Sequence, residues 1–188
     1  MTKKIIIVCV ALIIFISLGI YLSHTSDKAV ITNDFASAPN NSDLLSNMHA
    51  AGLDVLTAEG TVMHIHEHLD IVVNGKALNV PAEIGIGSDF ISPMHTHDTT
   101  GVIHIESPIK KDFKLGQFFT EWGIGLDDSH IGNYKADQNN KLVAAVNGKQ
   151  VTDIANYVLK AHDEIEIWYG PKTETPNLIS SYTFAAGL

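Results

Sequence analysis

The chain contains no arginine, and its lysines are few and scattered along 188 residues. The formal net charge at pH 7 is −9. Proteins that bind nucleic acid need clustered lysine and arginine side chains to neutralise phosphates. The composition therefore argues against a nucleic-acid-binding role.

Cysteine is almost absent as well. Cys9 is the only one, and it lies in the middle of an apolar run from Ile5 to Leu22, not at its end as in a lipoprotein signal. The chain after Leu22 therefore has no thiol and no disulfide, so its stability must come from an apolar core. Any metal site there must use histidine, carboxylate or methionine side chains.

The same apolar run predicts a membrane anchor. It is uncharged and reaches the length, roughly 18–20 residues, at which a helix spans a bilayer. Lys3 and Lys4 precede the run and keep the N-terminus in the cytoplasm by the positive-inside rule. No small-residue cleavage motif follows, so we expect an uncleaved transmembrane anchor over 1–22 and an extracytoplasmic remainder, periplasmic or extracellular. A cleaved signal peptide is the alternative.

Composition divides the remainder into two segments. Residues 23–59 are rich in serine, asparagine, aspartate and alanine and show little periodicity. They predict a low-complexity tether with at most one short helix near Leu44–His49. Residues 60–188 are enough to bury a continuous core, and we expect them to form the globular domain.

Local patterns in this domain predict its elements. Asn74-Gly75 and Asn147-Gly148 each separate two alternating segments and predict hairpins with type I′ turns. Asp127–Asn140 predicts a polar loop, and the alternation in Glu164–Tyr169 predicts a final strand. One helix face is predicted by apolar residues at positions i, i+3, i+4 and i+7, which are Leu115, Phe118, Phe119 and Trp122.

The order of these elements predicts an α+β fold. A hairpin, a helix and two or three further strands make a mostly antiparallel β domain with one main amphipathic helix. The C-terminal half, with its second hairpin, short helix and closing strand, resembles the end of a ubiquitin-like β-grasp domain. That resemblance concerns the fold alone.

Histidines are concentrated in one part of this domain. Alternate residues of a strand share a face, so three histidines and Asp70 are expected opposite Ile65, Leu69 and Ile71, which face the core. Neutral imidazole is a good ligand for transition metals. We therefore predict that residues 60–188 bind metal through six histidines in three groups. These are His64, His66 and His68, then His95 and His97, and finally His104.

The predicted site leaves the number and identity of the ions open. Six imidazoles exceed one tetrahedral shell, so one ion or two adjacent ions fit. Copper and zinc suit the ligands about equally, and iron held by two histidines and a carboxylate comes third. Met63 and Met94 precede histidines, but Met63 is expected to face the core. Three acids could fix the imidazole tautomers or bind the ion directly, namely Asp70, Asp98 and Glu106.

The two histidine motifs, HIHEHLDI at 64–71 and HTHDTTGVIHIESP at 95–108, continue into Leu115–Phe119 and Trp122-Gly123. Together they resemble a family of uncharacterised prokaryotic proteins with an N-terminal membrane segment. The resemblance covers about residues 60–125 and implies a shared site of the six histidines, without naming a reaction. A cupin is less favoured, because its first motif needs Glu where Asp70 lies and a more distant glycine than Gly75.

These observations favour a membrane-anchored extracytoplasmic protein that binds copper or zinc as a carrier, buffer or sensor. The alternative is a metal-dependent hydrolase or oxidoreductase with a mononuclear or dinuclear site, in which Glu67, Asp98 or Glu106 would act as general base. A pH-responsive interaction domain is a third hypothesis. Glu67 interrupts the predicted core face of its strand, which a bulge, an edge position or a functional role would explain, the edge position being the commonest of the three.

Overall fold

The structure is a computed structural model that describes residues 35–188. The predicted anchor over 1–22 and the first part of the predicted tether lie outside these residues. Within 35–188, no helix combines the length and the apolar character that crossing a bilayer requires.

The first helix, α1 (Asn41–Ala51), corrects the predicted tether. The side chain of Asn40 caps this helix by accepting hydrogen bonds from two backbone amides of its first turn. Leu44 and Met48 on α1 are fully buried, and Phe35 ahead of it also belongs to the core. Residues 35–59 are therefore part of the folded domain, which begins well before residue 60. The short helix predicted near Leu44–His49 is confirmed.

Ten strands and one further α-helix follow among the described residues. In chain order they are β1 (Met63–Val73), β2 (Lys76–Leu78), β3 (Met94–His95), β4 (Val102–Ser107), α2 (Leu115–Trp122), β5 (Leu126–Asp127), β6 (His130–Ile131), β7 (Tyr134–Lys135), β8 (Asn140–Val146), β9 (Lys149–Val151) and β10 (Glu164–Pro171). A short 3-10 helix at Ile154–Asn156 precedes β10.

The main sheet has the strand order β3-β4-β1-β10-β8-β9, with β2 also paired to β1. All pairs are antiparallel except β1 with β10, which run parallel at the centre. The predicted α+β class with mostly antiparallel strands is confirmed. The β8-β9 hairpin pairs with β10, and the β-grasp resemblance of the C-terminal half stays a prediction.

Both predicted hairpins are confirmed, and their turns have the expected backbone. Asn74 and Gly75 have φ of 50° and 75°, and Asn147 and Gly148 have φ of 51° and 74°. Two consecutive positive φ angles define the type I′ turn, whose twist matches that of the flanking strands. The local sequence therefore sets the register of β1 with β2 and of β8 with β9.

The predicted amphipathic helix is confirmed as α2. Its four predicted apolar residues are all buried in the core, and it ends where Gly123 adopts φ 83°. The side chain of Glu121 is buried on the same helix. Together with α1, this helix covers the apolar side of the sheet, to which Leu69 and Ile71 of β1 contribute.

The loop predicted over Asp127–Asn140 is wrong, because β5, β6 and β7 form a small antiparallel sheet there. Its first turn is held by the Asp127 carboxylate, which accepts hydrogen bonds from the backbone amides of Ser129 and His130. Ile131 then inserts into the core and is fully buried. A single apolar anchor in a polar segment is too weak a pattern to predict strands.

Candidate metal centre

Three neighbouring strands place three imidazoles in one row across the sheet. His104 on β4 lies directly opposite His66 on β1 and also opposite His95 on β3. Ring centroids are 4.5 Å apart for His66 and His104 and 5.5 Å apart for His95 and His104. The row follows from antiparallel register, since directly opposed residues present side chains on the same face.

The neighbouring row adds an acid and a fourth imidazole. His64 lies opposite Glu106 in the β1–β4 pair, and its Nε2 is 3.2 Å from Glu106 Oε1. The same carboxylate oxygen is 3.4 Å from Nδ1 of His104. His64 Nε2 is also 3.1 Å from Nε2 of His66. Glu106 was one of the acids predicted beside the histidines, and the structure places it among them.

His97 completes the group from the segment after β3. Its ring centroid is 4.6 Å from that of His104 and 4.8 Å from that of His95. Two overlapping sets of four residues therefore have ligand atoms within 4.8 Å of one another, and they share His104 and Glu106. We call the whole group the imidazole cluster: His64, His66, His95, His97, His104 and Glu106.

Glu59 is a further acid at this cluster that sequence reasoning missed. Its Oε1 lies 3.6 Å from Nε2 of His97 and 3.9 Å from Nε2 of His95. Glu59 precedes β1 in the segment predicted as tether, where no periodic pattern surrounds it. The sequence gives no signal for Glu59, because it lies near β3 only once residues 35–59 have folded onto the domain.

The floor of the cluster is buried and its imidazoles are kept neutral. Desolvation, followed by repulsion from neighbouring imidazoles, lowers the pKa of His104 to about 3. Desolvation likewise lowers the pKa of His95 to about 4 and lowers the pKa of His66. Neutral imidazoles offer the lone pair that a metal ion needs.

Two buried nitrogens in this floor lack a hydrogen-bond partner, namely Nε2 of His95 and Nδ1 of His104. The Ser92 carbonyl lies 3.1 Å from Nδ1 of His95, and a carbonyl only accepts, so Nδ1 carries the hydrogen and Nε2 has a free lone pair. Metal-ligating histidines typically donate their other N–H in this way. These observations fit a metal ion bound at the cluster.

The rim of the cluster is open to solvent. The side chains of His64, His97 and Glu59 are 53%, 45% and 48% exposed, whereas His95 is fully buried. The cluster therefore presents two candidate ligand imidazoles to solvent, while a third, His95, is fully buried.

His68 lies apart from the imidazole cluster, which corrects the prediction of one site with six histidines. Its Nδ1 is 2.8 Å from Glu164 Oε2 and 3.6 Å from Asp70 Oδ2. The two strand pairs explain this, because His68 lies opposite Val102 in the β1–β4 pair and opposite Glu164 in the parallel β1–β10 pair. Asp70, predicted to support the shared site, accompanies His68.

Asp98 and Glu67 are not among the grouped ligand atoms, although Asp98 lies close enough to His104 and His97 for them to help lower its pKa. The Asp98 carboxylate accepts hydrogen bonds from the hydroxyl and the backbone amide of Thr100, which lower its pKa. Glu67 is fully buried on the opposite face of β1, where desolvation raises its pKa to about 9. Its strand is paired on both sides, so the expected edge position is wrong. Met63 and Met94 pack against the core and not among the imidazoles.

No family model, curated protein or solved structure matches the chain. The family resemblance drawn from the histidine motifs therefore stays a prediction. Chemically, the described residues form a buried group of imidazoles and carboxylates positioned to hold a metal ion.

Proposed function

We propose that the imidazole cluster binds copper or zinc and that the protein is a membrane-anchored, extracytoplasmic carrier, buffer or sensor of that ion. The observation that carries this proposal is the pair of buried nitrogens without a hydrogen-bond partner, on His95 and His104, in the floor of the cluster. Burial of an unpaired polar atom is costly, and a coordinated ion would remove that cost.

The donor set supports zinc(II) or copper(II). Five imidazoles and the carboxylates of Glu106 and Glu59 are available, and within residues 35–188 the thioethers of Met63 and Met94 pack on the core side. Imidazole-rich sites without sulfur suit these two divalent ions, whereas copper(I) prefers thioether or thiolate sulfur. Iron would need an open site with two histidines and one carboxylate, and this cluster has more imidazoles than that arrangement uses.

The overlapping ligand sets support a role in holding and passing on the ion. His104 and Glu106 belong to both sets, so two complete and independent shells cannot form together. An ion can instead exchange His64 and His66 for His95 and His97 while it keeps the shared pair. Sequential ligand exchange of this kind suits a carrier or buffer with an exposed rim.

Binding is favoured over catalysis because the predicted general bases are poorly placed. Glu67 lies on the other face of the sheet, and the carboxylate of Asp98 is engaged by Thr100. Glu106 lies at the cluster, yet its carboxylate contacts His64 and His104. It is therefore better placed as a ligand or as a partner of the imidazoles than as a base facing a substrate.

Metal analysis of the full-length chain tests the proposal. The chain is purified in detergent, loaded with zinc or copper and dialysed, and the bound metal is measured. We expect a tightly held ion that is lost in His104→Ala, which removes a ligand of both sets, and in the double variant His66→Ala/His97→Ala, which breaks both sets. It should be kept in His49→Ala, which removes an exposed histidine of α1. Full metal content in both cluster variants would contradict the proposal.

Water exchange at the bound ion separates the carrier from the enzyme. Water-proton relaxation is measured on the copper(II)-loaded chain. We expect little exchange, because enough imidazoles are present to fill the shell. A rapidly exchanging water would indicate the open coordination position of a metalloenzyme.

The location is tested separately. The run from Ile5 to Leu22 after two lysines supports an anchor with the remaining chain outside the cytoplasm. A reporter enzyme that is active only outside the cytoplasm, fused after Leu188, is expected to be active. It should remain with the membrane fraction. An inactive fusion or a soluble mature chain would contradict this part of the proposal.

A further inference from the structure

A second group of potential ligands lies on the same face of the sheet, on the other side of β1. We call it the His68 group: His68, Asp70 and Glu164. One nitrogen or oxygen atom from each lies within 4.8 Å of the others. None of the three belongs to the imidazole cluster, and β10 rather than β4 supplies the third residue.

Hydrogen bonding orients the His68 ring toward the acids. Its Nε2 is 2.8 Å from the carbonyl oxygen of Thr100, so Nε2 carries the hydrogen and donates it. The other ring nitrogen, Nδ1, is hydrogen-bonded to Glu164 Oε2 at 2.8 Å and lies 3.6 Å from Asp70 Oδ2. A backbone carbonyl that holds one ring N–H and leaves the other nitrogen toward carboxylates is the support typical of a metal ligand.

Two carboxylates share a single imidazole in this group. Glu164 is 1% exposed, and its Oε1 is buried without a hydrogen-bond partner. His68 is the one basic side chain that pairs with Asp70 or Glu164 within residues 35–188. The buried Glu166 carboxylate adds a third acid close to Asp70. A buried acid with a free oxygen requires a proton or a cation.

The C-terminal segment covers this group. The ring of Tyr182 stacks on that of His68, with centroids 3.7 Å apart and planes 5° from parallel. Nearby, the backbone amide of Ile179 donates to Glu166 Oε2 at 2.8 Å. The segment thereby shields the acids from bulk water, which strengthens their attraction for a cation.

We propose that His68, Asp70 and Glu164 form a second divalent-cation site, separate from the imidazole cluster and richer in oxygen ligands. One imidazole nitrogen with two carboxylates suits manganese(II) or zinc(II), whereas the imidazole-rich cluster suits copper or zinc. The chain thus offers two sites of different ligand chemistry on one sheet face, and manganese(II) is the probe that distinguishes them.

Titration of the full-length chain with manganese(II) tests the second site. Electron paramagnetic resonance measures free manganese(II), and the bound fraction follows by difference. The variants are Glu164→Gln and Asp70→Asn, each of which removes a carboxylate charge at nearly constant shape. Glu174→Gln, at an exposed position in the C-terminal segment, is the matched control. His97→Ala removes a ligand of the imidazole cluster alone.

We expect the wild-type chain, Glu174→Gln and His97→Ala to bind one manganese(II) ion alike. Glu164→Gln and Asp70→Asn should weaken this binding at least tenfold, and both should keep their zinc or copper in the imidazole cluster. Thermal unfolding confirms that each variant is folded. Asp70 is partly exposed, so Asp70→Asn decides the outcome if Glu164→Gln does not fold.

Two results would overturn the second site. One is a wild-type chain that binds no manganese(II) at millimolar concentration, which would make the His68 group a structural hydrogen-bonded pair. The other is manganese(II) binding that survives both carboxylate variants and disappears in His97→Ala. Neither result affects the metal content expected of the imidazole cluster, so the two proposals fail independently.

Discussion

His104 occupies the central position among the residues of the imidazole cluster. It is the register partner of both His66 and His95, and its ring contacts that of His97. Burial among these imidazoles lowers its pKa to about 3. Its side chain therefore stays neutral and available to an ion at any physiological pH.

Replacing His104 by alanine should weaken zinc binding by more than about 100-fold. Substituting a residue that only hydrogen-bonds to a metal ligand already lowers metal affinity by about 10–100-fold, and His104 is a candidate ligand itself. The variant removes a residue common to both ligand sets, so neither set can compensate. Isothermal titration with a zinc chelator as competitor measures the change. His49→Ala is the control, and a His104→Ala affinity within about threefold of its value would contradict the shared role.

The buried carboxyl of Glu67 leads to a prediction about the stability of the folded chain. Its pKa rises from 4.5 to about 9 in the folded chain because its carboxyl is desolvated. Between these values the unfolded chain releases this proton while the folded chain keeps it, so stability falls as pH rises. The loss reaches about 3 kcal/mol at pH 7.

The Glu67→Gln variant removes this titration. The difference in free energy of unfolding between the variant and wild type should therefore increase steadily from pH 5 to pH 8. The new amide adds only a contribution that does not depend on pH. Urea unfolding at several pH values measures the difference. A difference that does not change with pH would mean that Glu67 is ionised in the folded chain.

Among the elements, β3 is the shortest strand of the main sheet and lies at its edge. It carries His95 and leads directly to His97. The loop at 83–86 holds it, because the backbone amide of Thr96 donates to the Ile84 carbonyl. Gly85 in this loop has φ 79°, and a Cβ there would lie 2.2 Å from the Met94 carbonyl oxygen.

The Gly85→Ala variant should displace β3 and weaken zinc binding by about 10-fold, in the range of an outer partner of a ligand. Gly75→Ala is the matched control, because Gly75 has a similar φ of 75° but open space around it. Both variants carry backbone strain of about 1 kcal/mol. Zinc affinity and thermal unfolding are measured for both, and equal zinc affinities would show that β3 does not depend on this contact.

For the molecule as a whole, metal binding should raise the temperature of unfolding. An ion at about 100 times its dissociation constant stabilises the folded state by about 2.7 kcal/mol. For a chain of this size that corresponds to about 5–10 °C. Calorimetry with zinc, and with magnesium as a poor imidazole-binding control, measures the shift. The absence of a shift with zinc, or an equal shift with magnesium, would contradict a specific site.

The features of the whole fold that were predicted from sequence are those with local signals. Asn74-Gly75 and Asn147-Gly148 specify their own turns, and the apolar spacing in Leu115–Trp122 specifies its own helix face. Alternation in Met63–Val73 correctly separates the histidine face from the core face. Each of these predictions depends only on residues that are close together in the sequence.

The features that were not predicted depend on contacts between distant segments. The parallel pairing of β1 with β10 places Glu164 beside His68 and so removes His68 from the imidazole cluster. Glu59 and Tyr182 reach the two groups of ligands from segments without periodicity. The register between strands far apart in the chain leaves no pattern in the local sequence. The histidine motifs therefore predict a candidate metal site, but not that His68 lies in a separate group.

β10 is the last strand in chain order, so its ligand residue is synthesised after those of β1, β3 and β4. Every member of the imidazole cluster comes from residues 64–106, which leave the ribosome together, whereas Glu164 emerges nearly sixty residues later. In the order of synthesis, all ligands of the imidazole cluster are therefore present before the oxygen-rich group is complete.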